Sequence, residues 1–307
     1  MIVRLLTQQI IVLFLMMGLG FLLVKLKLAD AADSKLLSVI TVYLVVPCVI
    51  INAFQIDYSD EIRSGFMLSL GAAAAIHLLL FMLCWLFGKV LKLSIVERAS
   101  LIYSNAGNLI IPLVTSVLGP EWVIYASGFI CVQLIMLWTH GQSLLEGRPG
   151  VNWRKILGNT NLISVIVGIA LFVAKVKLPV VVSGMLASMS AIIGPISMIM
   201  LGMLMAAVDW NEVFLSWRIY LIAFLKMILF PLLVLLMLKF SWLHELAPNG
   251  ETILLISLLA VITPSATMVV QLAQIFDQDA KYASSINVLT TVICIITMPV
   301  MVMIYLA

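Results

Sequence analysis

Two short stretches hold the residues best suited to binding chemistry. They are Ser104-Asn105-Ala106-Gly107-Asn108-Leu109-Ile110-Ile111-Pro112 and Thr263-Pro264-Ser265, and each interrupts a long apolar run. Asn105, Asn108 and Ser265 offer neutral amide and hydroxyl groups beside Pro112 and Pro264. Such groups hydrogen-bond a carboxylate, and together with freed carbonyls they coordinate a small cation such as sodium. Their bland alternative is helix-to-helix hydrogen bonding, or capping of a half-helix by Ser265. Lys226 is the only charged residue well inside an apolar run. A charge there is costly and marks a functional hypothesis: counter-charge to an anion, partner of a coupling ion, or donor to freed carbonyls. The last is favoured, as a support for the second break. His77 stands on an otherwise apolar run and reads as packing with a possible supporting role. Gln133 and Gln271 line a polar path or bond neighbouring helices.

These residues must be positioned by membrane-spanning helices. Of 307 residues 64% are apolar and 10% charged, against about 25% charged in soluble domains. Runs long enough to cross a bilayer occur at 5–24, 34–54, 66–90, 97–118, 122–140, 156–176, 185–207, 213–238, 251–273 and 282–306. The fourth and ninth are the interrupted ones. Lipid cannot satisfy backbone groups freed by a break, so broken helices survive only where packed in protein or lining a cavity. Two of them point to a binding site. Pro47, Pro195, Pro231 and Pro299 fall within other spans; Pro231 and Pro299 read mainly as kinks, Pro47 and Pro195 equally as kinks or functional positions, and the methionines of Met198–Met205 as packing. The first run, preceded by Arg4, is expected to be a retained helix, being longer than a signal core. Cys48, Cys84, Cys131 and Cys294 lack metal-ligand spacing and carry no expected redox role. Glu97, Glu121, Asp209, Glu212, Glu251, Asp277 and Asp279 are placed at span ends or loops, which leaves no carboxylate proton relay.

Basic residues set the orientation. With the N-terminus external, eleven fall on the cytoplasmic side: Lys25, Lys27, Lys35, Lys89, Lys92, Arg98, Arg148, Arg154, Lys155, Arg218 and Lys281. Five fall outside: Arg4, Arg63, Lys175, Lys177 and Lys239. Both termini are therefore expected outside, in the inner membrane, and no basic cluster suggests nucleic acid. The chain also repeats. Pro47 and Pro195 lie 148 residues apart, His77 and Lys226 149, Pro112 and Pro264 152, and Tyr125-Ala126-Ser127 and Tyr282-Ala283-Ser284 157. An odd number of spans per half inverts the second half, a recurring design of secondary transporters. The expected organisation is residues 1–140 as the first five-helix repeat, 141–155 as a short cytoplasmic linker, and 156–307 as the second.

The pattern of Tyr43 to Pro47, Ser104-Asn105 with Ile111-Pro112, Phe224-Leu225-Lys226 with Pro231, and Pro264-Ser265 leading to Asp279 and Tyr282-Ala283-Ser284 resembles the auxin efflux carrier family. The resemblance covers all ten spans. It departs at Ile110, where the family often has glycine, and lacks the long central loop of many plant members. It implies an all-α membrane protein of ten transmembrane helices in two inverted repeats, similar to the bile acid/sodium symporter-type fold, with helices 4 and 9 crossing at the substrate. Spans 1, 2, 6 and 7 would form a scaffold, through which a homodimer is expected, and spans 3–5 and 8–10 a moving transport unit. The implied function is elevator-type carriage of small organic anions, aromatic carboxylates or dicarboxylates. Half-helix N-termini suit such ligands, because their free N–H groups and partial positive charge attract anions. Asn105, Asn108, Ser265, Pro112 and Pro264 are the expected substrate-site residues, with Lys226 and His77 as charge partner or support. No cofactor or resident metal is expected, sodium being a possible coupling ion. A channel and an intramembrane enzyme are the rivals. Neither a filter loop nor an HExxH helix, paired intramembrane aspartates or Gly-x-Ser-x-Gly elbow is present.

Overall fold

The computed structural model describes residues 2–57, 59–147, 157–208, 210, 213 and 216–307. Arg148, Arg154, Lys155, Asp209 and Glu212, used above for orientation or the acid inventory, lie outside these, as does most of the expected linker. The described residues are helical, without strands. Six helices are long and apolar enough to cross a membrane: Ala31–Ala53, Asp60–Val90, Pro120–Glu146, Val180–Ala206, Trp217–Lys239 and Ala280–Leu306. Four shorter apolar helices, Ile11–Lys25, Ala106–Val117, Thr160–Val173 and Gly250–Ile262, fall in the first, fourth, sixth and ninth apolar runs.

We number the helices α1 (Ile2–Lys25), α2 (Ser34–Ile40), α3 (Val46–Ala53), α4 (Asp60–Val90), α5 (Ile95–Ile102), α6 (Ala106–Val117), α7 (Val123–Met136), α8 (Gln142–Glu146), α9 (Thr160–Val173), α10 (Val180–Ala191), α11 (Ile193–Ala206), α12 (Trp217–Phe224), α13 (Phe230–Lys239), α14 (Gly250–Ile262), α15 (Thr267–Ile275) and α16 (Ala280–Leu306). Local chemistry sets several of their ends. Ser59 caps α4, accepting from Ile62 N, which starts that helix six residues before the apolar run at 66. Ser94 and Glu97 form a reciprocal capping box at α5. Helix continues from α7 through a π turn, Leu137–Gly141, into α8, so the start of the expected linker extends the fifth span.

Prolines act as kinks where π turns precede them. Pro47 and Pro231 lack the N–H that would serve the carbonyl four residues earlier, and the helix widens at Thr41–Val45 and Leu225–Leu229. The second of these turns carries Lys226.

Packing divides the helices into two groups. In the first, α1 lies along α11, and α3 against α9 and α10. Gly20 and Gly202 make the closest approach in this group: a Cβ on Gly20 would meet the Ile199 carbonyl, and one on Gly202 the Met17 carbonyl, so α1 and α11 touch backbone to backbone. Small residues at interfaces permit this approach in membranes. In the second group α4 packs on α7 and α14, α14 on α7, and α16 on α12, α14 and α15. The groups meet where α6 lies on α1 and α11, where α16 lies on α1, and where α7 lies on α3 and α9.

Candidate functional site

The site begins with a proline. Pro264 disfavours helical backbone at the residue before it, and Thr263 is extended, with φ −62° and ψ 153°. Ala266 is also extended, at φ −66° and ψ 133°, before α15 begins. This break, Thr263–Ala266, the second along the chain, meets the first at Tyr103–Asn105, between α5 and α6. Ser104 and Ser265 pair as an isolated antiparallel bridge. Asn105 N donates to Pro264 O at 2.8 Å, and Ala266 N to Tyr103 O at 3.0 Å. The second break therefore serves as hydrogen-bond partner to the first.

Pro112 is not at the break. It sits inside α6, seven residues beyond Asn105, with helix on both sides. A proline interior to a membrane helix costs one backbone hydrogen bond, that to the carbonyl four residues back, and the backbone there need not unwind. The expected interruption from Ser104 to Pro112 thus shrinks to three residues. The two breaks meet through Ser104 and Ser265 rather than through Pro112 and Pro264. Pro112 instead faces the other helix group: a Cβ at Gly194 would lie 3.4 Å from Pro112 Cβ and 4.0 Å from Leu13 Cδ2.

Neighbouring helices satisfy the freed backbone. Gln133 on α7 holds both groups of Ser104, accepting from its N–H at 3.1 Å and donating to its carbonyl at 2.8 Å. On α16, Asn287 Nδ2 donates to Ser265 O, and Thr290 Oγ1 accepts from Ser265 N at 3.2 Å. Tyr103, next in the chain, anchors its hydroxyl to Met136 O and His140 Nδ1, both at 2.9 Å. Of the two uses foreseen for Gln133, it makes helix-to-backbone bonds.

Lys226 reaches the same place from α12–α13. The residue is buried, 1% exposed, and its Nζ donates to Ser104 Oγ at 2.7 Å and Leu101 O at 3.2 Å. Ser104 Oγ in turn donates to Val261 O at 3.2 Å. The expectation that Lys226 supports the second break is corrected: its bonds go to the first, at the C-terminal end of α5, where cations are favoured. His77 is not brought into this network by a hydrogen bond. Its Nδ1 donates to Ala73 O at 2.8 Å within α4, and its ring packs on Phe129 at 5.3 Å.

What remains at the crossing is a set of donors. Asn108 Nδ2 donates to Asn105 Oδ1 at 3.1 Å and to Thr267 Oγ1 at 3.4 Å, which draws the N-termini of α6 and α15 together. Neither N-terminus has a side-chain cap. With its oxygen occupied, Asn105 presents Nδ2, and that atom and Ser265 Oγ have no hydrogen-bond partner among the described residues, although the side chains are 4% and 1% exposed. Buried polar groups are rarely left so. Lys226 and Ser104 donate to carbonyls at the C-terminal ends of α5 and α14, while the N-terminal N–H groups of α6 and α15 lack side-chain acceptors, an arrangement whose electrostatics favour negative charge at the N-termini. Among the described residues no cluster of His, Cys, Asp or Glu suits a metal ion.

At one end of this helix group a clasp escaped the sequence reading. Glu97, placed there at a span end, is fully buried. Arg218 Nε and Nη2 reach its two oxygens at 2.6 and 2.9 Å, and Tyr282 Oη donates to it at 2.8 Å. Arg218 also donates to the carbonyls of Leu91 and Lys92. The capping spacing of Ser94 and Glu97 was visible in the chain, but the pairing across more than 120 residues was not. Thr267, Asn287 and Thr290 also went unselected; polar residues recurring at helical spacing in an apolar run are the signal that marks them.

Compared with known families, residues 5–152 and 149–302 each match the family described as membrane transport protein. A search of the curated proteins finds no match to the chain.

Proposed function

The chain belongs to the membrane transport protein family, that of the auxin efflux carriers, and from this premise we propose that it is a carrier of small organic anions, each held by a carboxylate at the crossing. It is a multi-pass membrane transporter, not an enzyme. The observation that carries the anion reading is the pair of uncapped half-helix N-termini beside unpartnered Asn105 Nδ2 and Ser265 Oγ. Donors so placed favour negative charge.

Ten spans in two inverted repeats fit the six long and four shorter helices. Left-handed backbone recurs in support: at Lys27 and Lys175, 148 residues apart, and at Gly119 and Asp277, 158 apart. In this reading α1–α3 and α9–α11 are a scaffold and homodimer surface, and α4–α8 with α12–α16 a transport unit that moves as an elevator. The clasp and the crossing lie within the moving unit. Both termini are external, in the inner membrane, in keeping with the basic-residue asymmetry. Lys226 Nζ, bonded to Leu101 O and Ser104 Oγ, is a donor built into the protein where a coupling cation would otherwise act, and transport uncoupled from sodium is the reading it supports.

Asn105→Ala and Ser265→Ala test the site. Each is expected to weaken substrate binding by about 1–3 kcal/mol, measured on the substrate found by a thermal-shift screen of aromatic acids and dicarboxylates with and without sodium. Normal binding and transport by both variants in proteoliposomes would remove the crossing as the site, and a sodium requirement would overturn the uncoupled reading. Cysteine labelling at Lys155 and Ala307 tests the topology: access to both from the same side contradicts it.

A further inference from the structure

The two half-helices that lead away from the crossing differ in what covers them. α6 is closed: Leu109, Ile110, Ile111, Pro112, Leu113 and Val114 are all buried, and the helix lies against α1 and α11. α15 packs on α16, α5 and α8, all within its own group. Along α15, Gln271, Gln274 and the terminal Ile275 are exposed and Thr267 partly so, the polar three forming the stripe. These three stand at i, i+4 and i+7, one face of a helix. The stripe starts at the crossing, because Thr267 accepts from Asn108 there.

Depth decides what faces that stripe. Gln271 lies about 6 Å and Gln274 about 10 Å along the axis from Thr267, whereas half the hydrocarbon thickness is about 15 Å. Exposed amides within that depth cannot be satisfied by lipid tails. With the crossing at the midplane, where paired broken helices of transporters lie, these amides call for water.

We propose that Thr267, Gln271 and Gln274 line a water-filled access path from the crossing to the membrane face where α15 ends, and that Pro112 seated on Gly194 and Leu13 is the closed gate of the opposite path. The structure is then the state open on the α15 side, the side read as cytoplasmic. A hydrated carboxylate enters along the amides and meets the N-termini of α6 and α15. In the alternate state the cover is exchanged, α6 opening as α15 closes. This inference rests on the crossing as the substrate site.

The test uses the full chain in proteoliposomes and a membrane-impermeant methanethiosulfonate reagent. Gln271→Cys and Gln274→Cys are expected to react at least tenfold faster than wild type, from the α15 side only; the wild type's four buried or half-buried cysteines set the background. Leu113→Cys should stay at background from the α15 side. Failure of both glutamine variants to react from either side, or their reaction from the α6 side, overturns the path. The gate is tested by Pro112→Cys with Gly194→Cys, whose Cβ separation of 3.4 Å is close to that of a disulfide. Oxidation should cut transport at least tenfold, reversibly, and leave labelling of an added Gln274→Cys unchanged. A cross-link that forms without slowing transport, or that shields Gln274→Cys, overturns the gate. If the reduced pair transports poorly, the labelling measurement still decides. Normal transport by Asn105→Ala and Ser265→Ala speaks against the crossing as site, and leaves the labelling result to judge the path separately.

Discussion

Lys226 illustrates how a single side chain divides the site. Its ammonium bonds Ser104 Oγ and Leu101 O, and no carboxylate is among these contacts. Lys226→Met orphans both oxygens in a buried place, which should cost about 1–3 kcal/mol. The expected result is a lower melting temperature, with transport falling only as folded protein falls. A Met variant of wild-type stability that no longer transports would instead assign Lys226 to the substrate. Lys226→Arg should restore little, since a planar fork does not reproduce a compact three-donor head. The importance of Lys226 was legible in the sequence, because a lone charge in an apolar run is conspicuous. Which break it serves was not, since that depends on how α12–α13 lies across α5. Ser104 was visible only as part of the broken stretch, yet its backbone and hydroxyl take four hydrogen bonds, as donor or acceptor, among Gln133, Val261 and Lys226, beside the bridge to Ser265.

At the scale of elements, the crossing depends on the helices beside it. Gln133→Leu would leave the N–H and C=O of Ser104 buried without α7, and each such group costs about 1–3 kcal/mol. We expect that variant to be markedly less stable to heat in detergent, while Gln271→Leu, on the exposed face of α15, stays near wild type. Pro112→Ala should leave the break unmoved, because the helix is already continuous there; circular dichroism with a melting curve checks this. The second break was readable from chemistry, as Pro264 forces Thr263 out of the helical region. The first was only half readable. Its backbone is held by α14, α7 and α12–α13, and nothing local in Tyr103-Ser104-Asn105 breaks a helix. The clasp obeys the same rule. Arg218→Met leaves the Glu97 carboxylate buried with Tyr282 and Ser94 N, and with Arg218 a third exposed the loss should be about 1.5–3 kcal/mol. If Arg218→Met and Arg218→Lys melt alike and near wild type, the clasp contributes little.

Across the whole molecule, apolar runs made the multi-pass membrane character legible, while the grouping of helices was not, because apolar faces look alike to lipid and to protein. The contact of α1 with α11 is the tightest example. Gly202→Leu must force the helices apart, since even a Cβ meets the Met17 carbonyl, and we expect loss of folded protein on size-exclusion chromatography, whereas Gly18→Leu, with open space around it, should be tolerated. That contact has a consequence in time. Gly20 leaves the ribosome about 180 residues before Ile199, which at about 5–20 residues per second is a delay of roughly 10–35 s. Throughout that interval the glycine face of the first helix has no mate in the bilayer. Assembly of the carrier therefore requires that something hold or shield a newly inserted helix until most of the chain has been made, and shortening that wait by co-expressing the two halves as separate chains should still yield a folded protein.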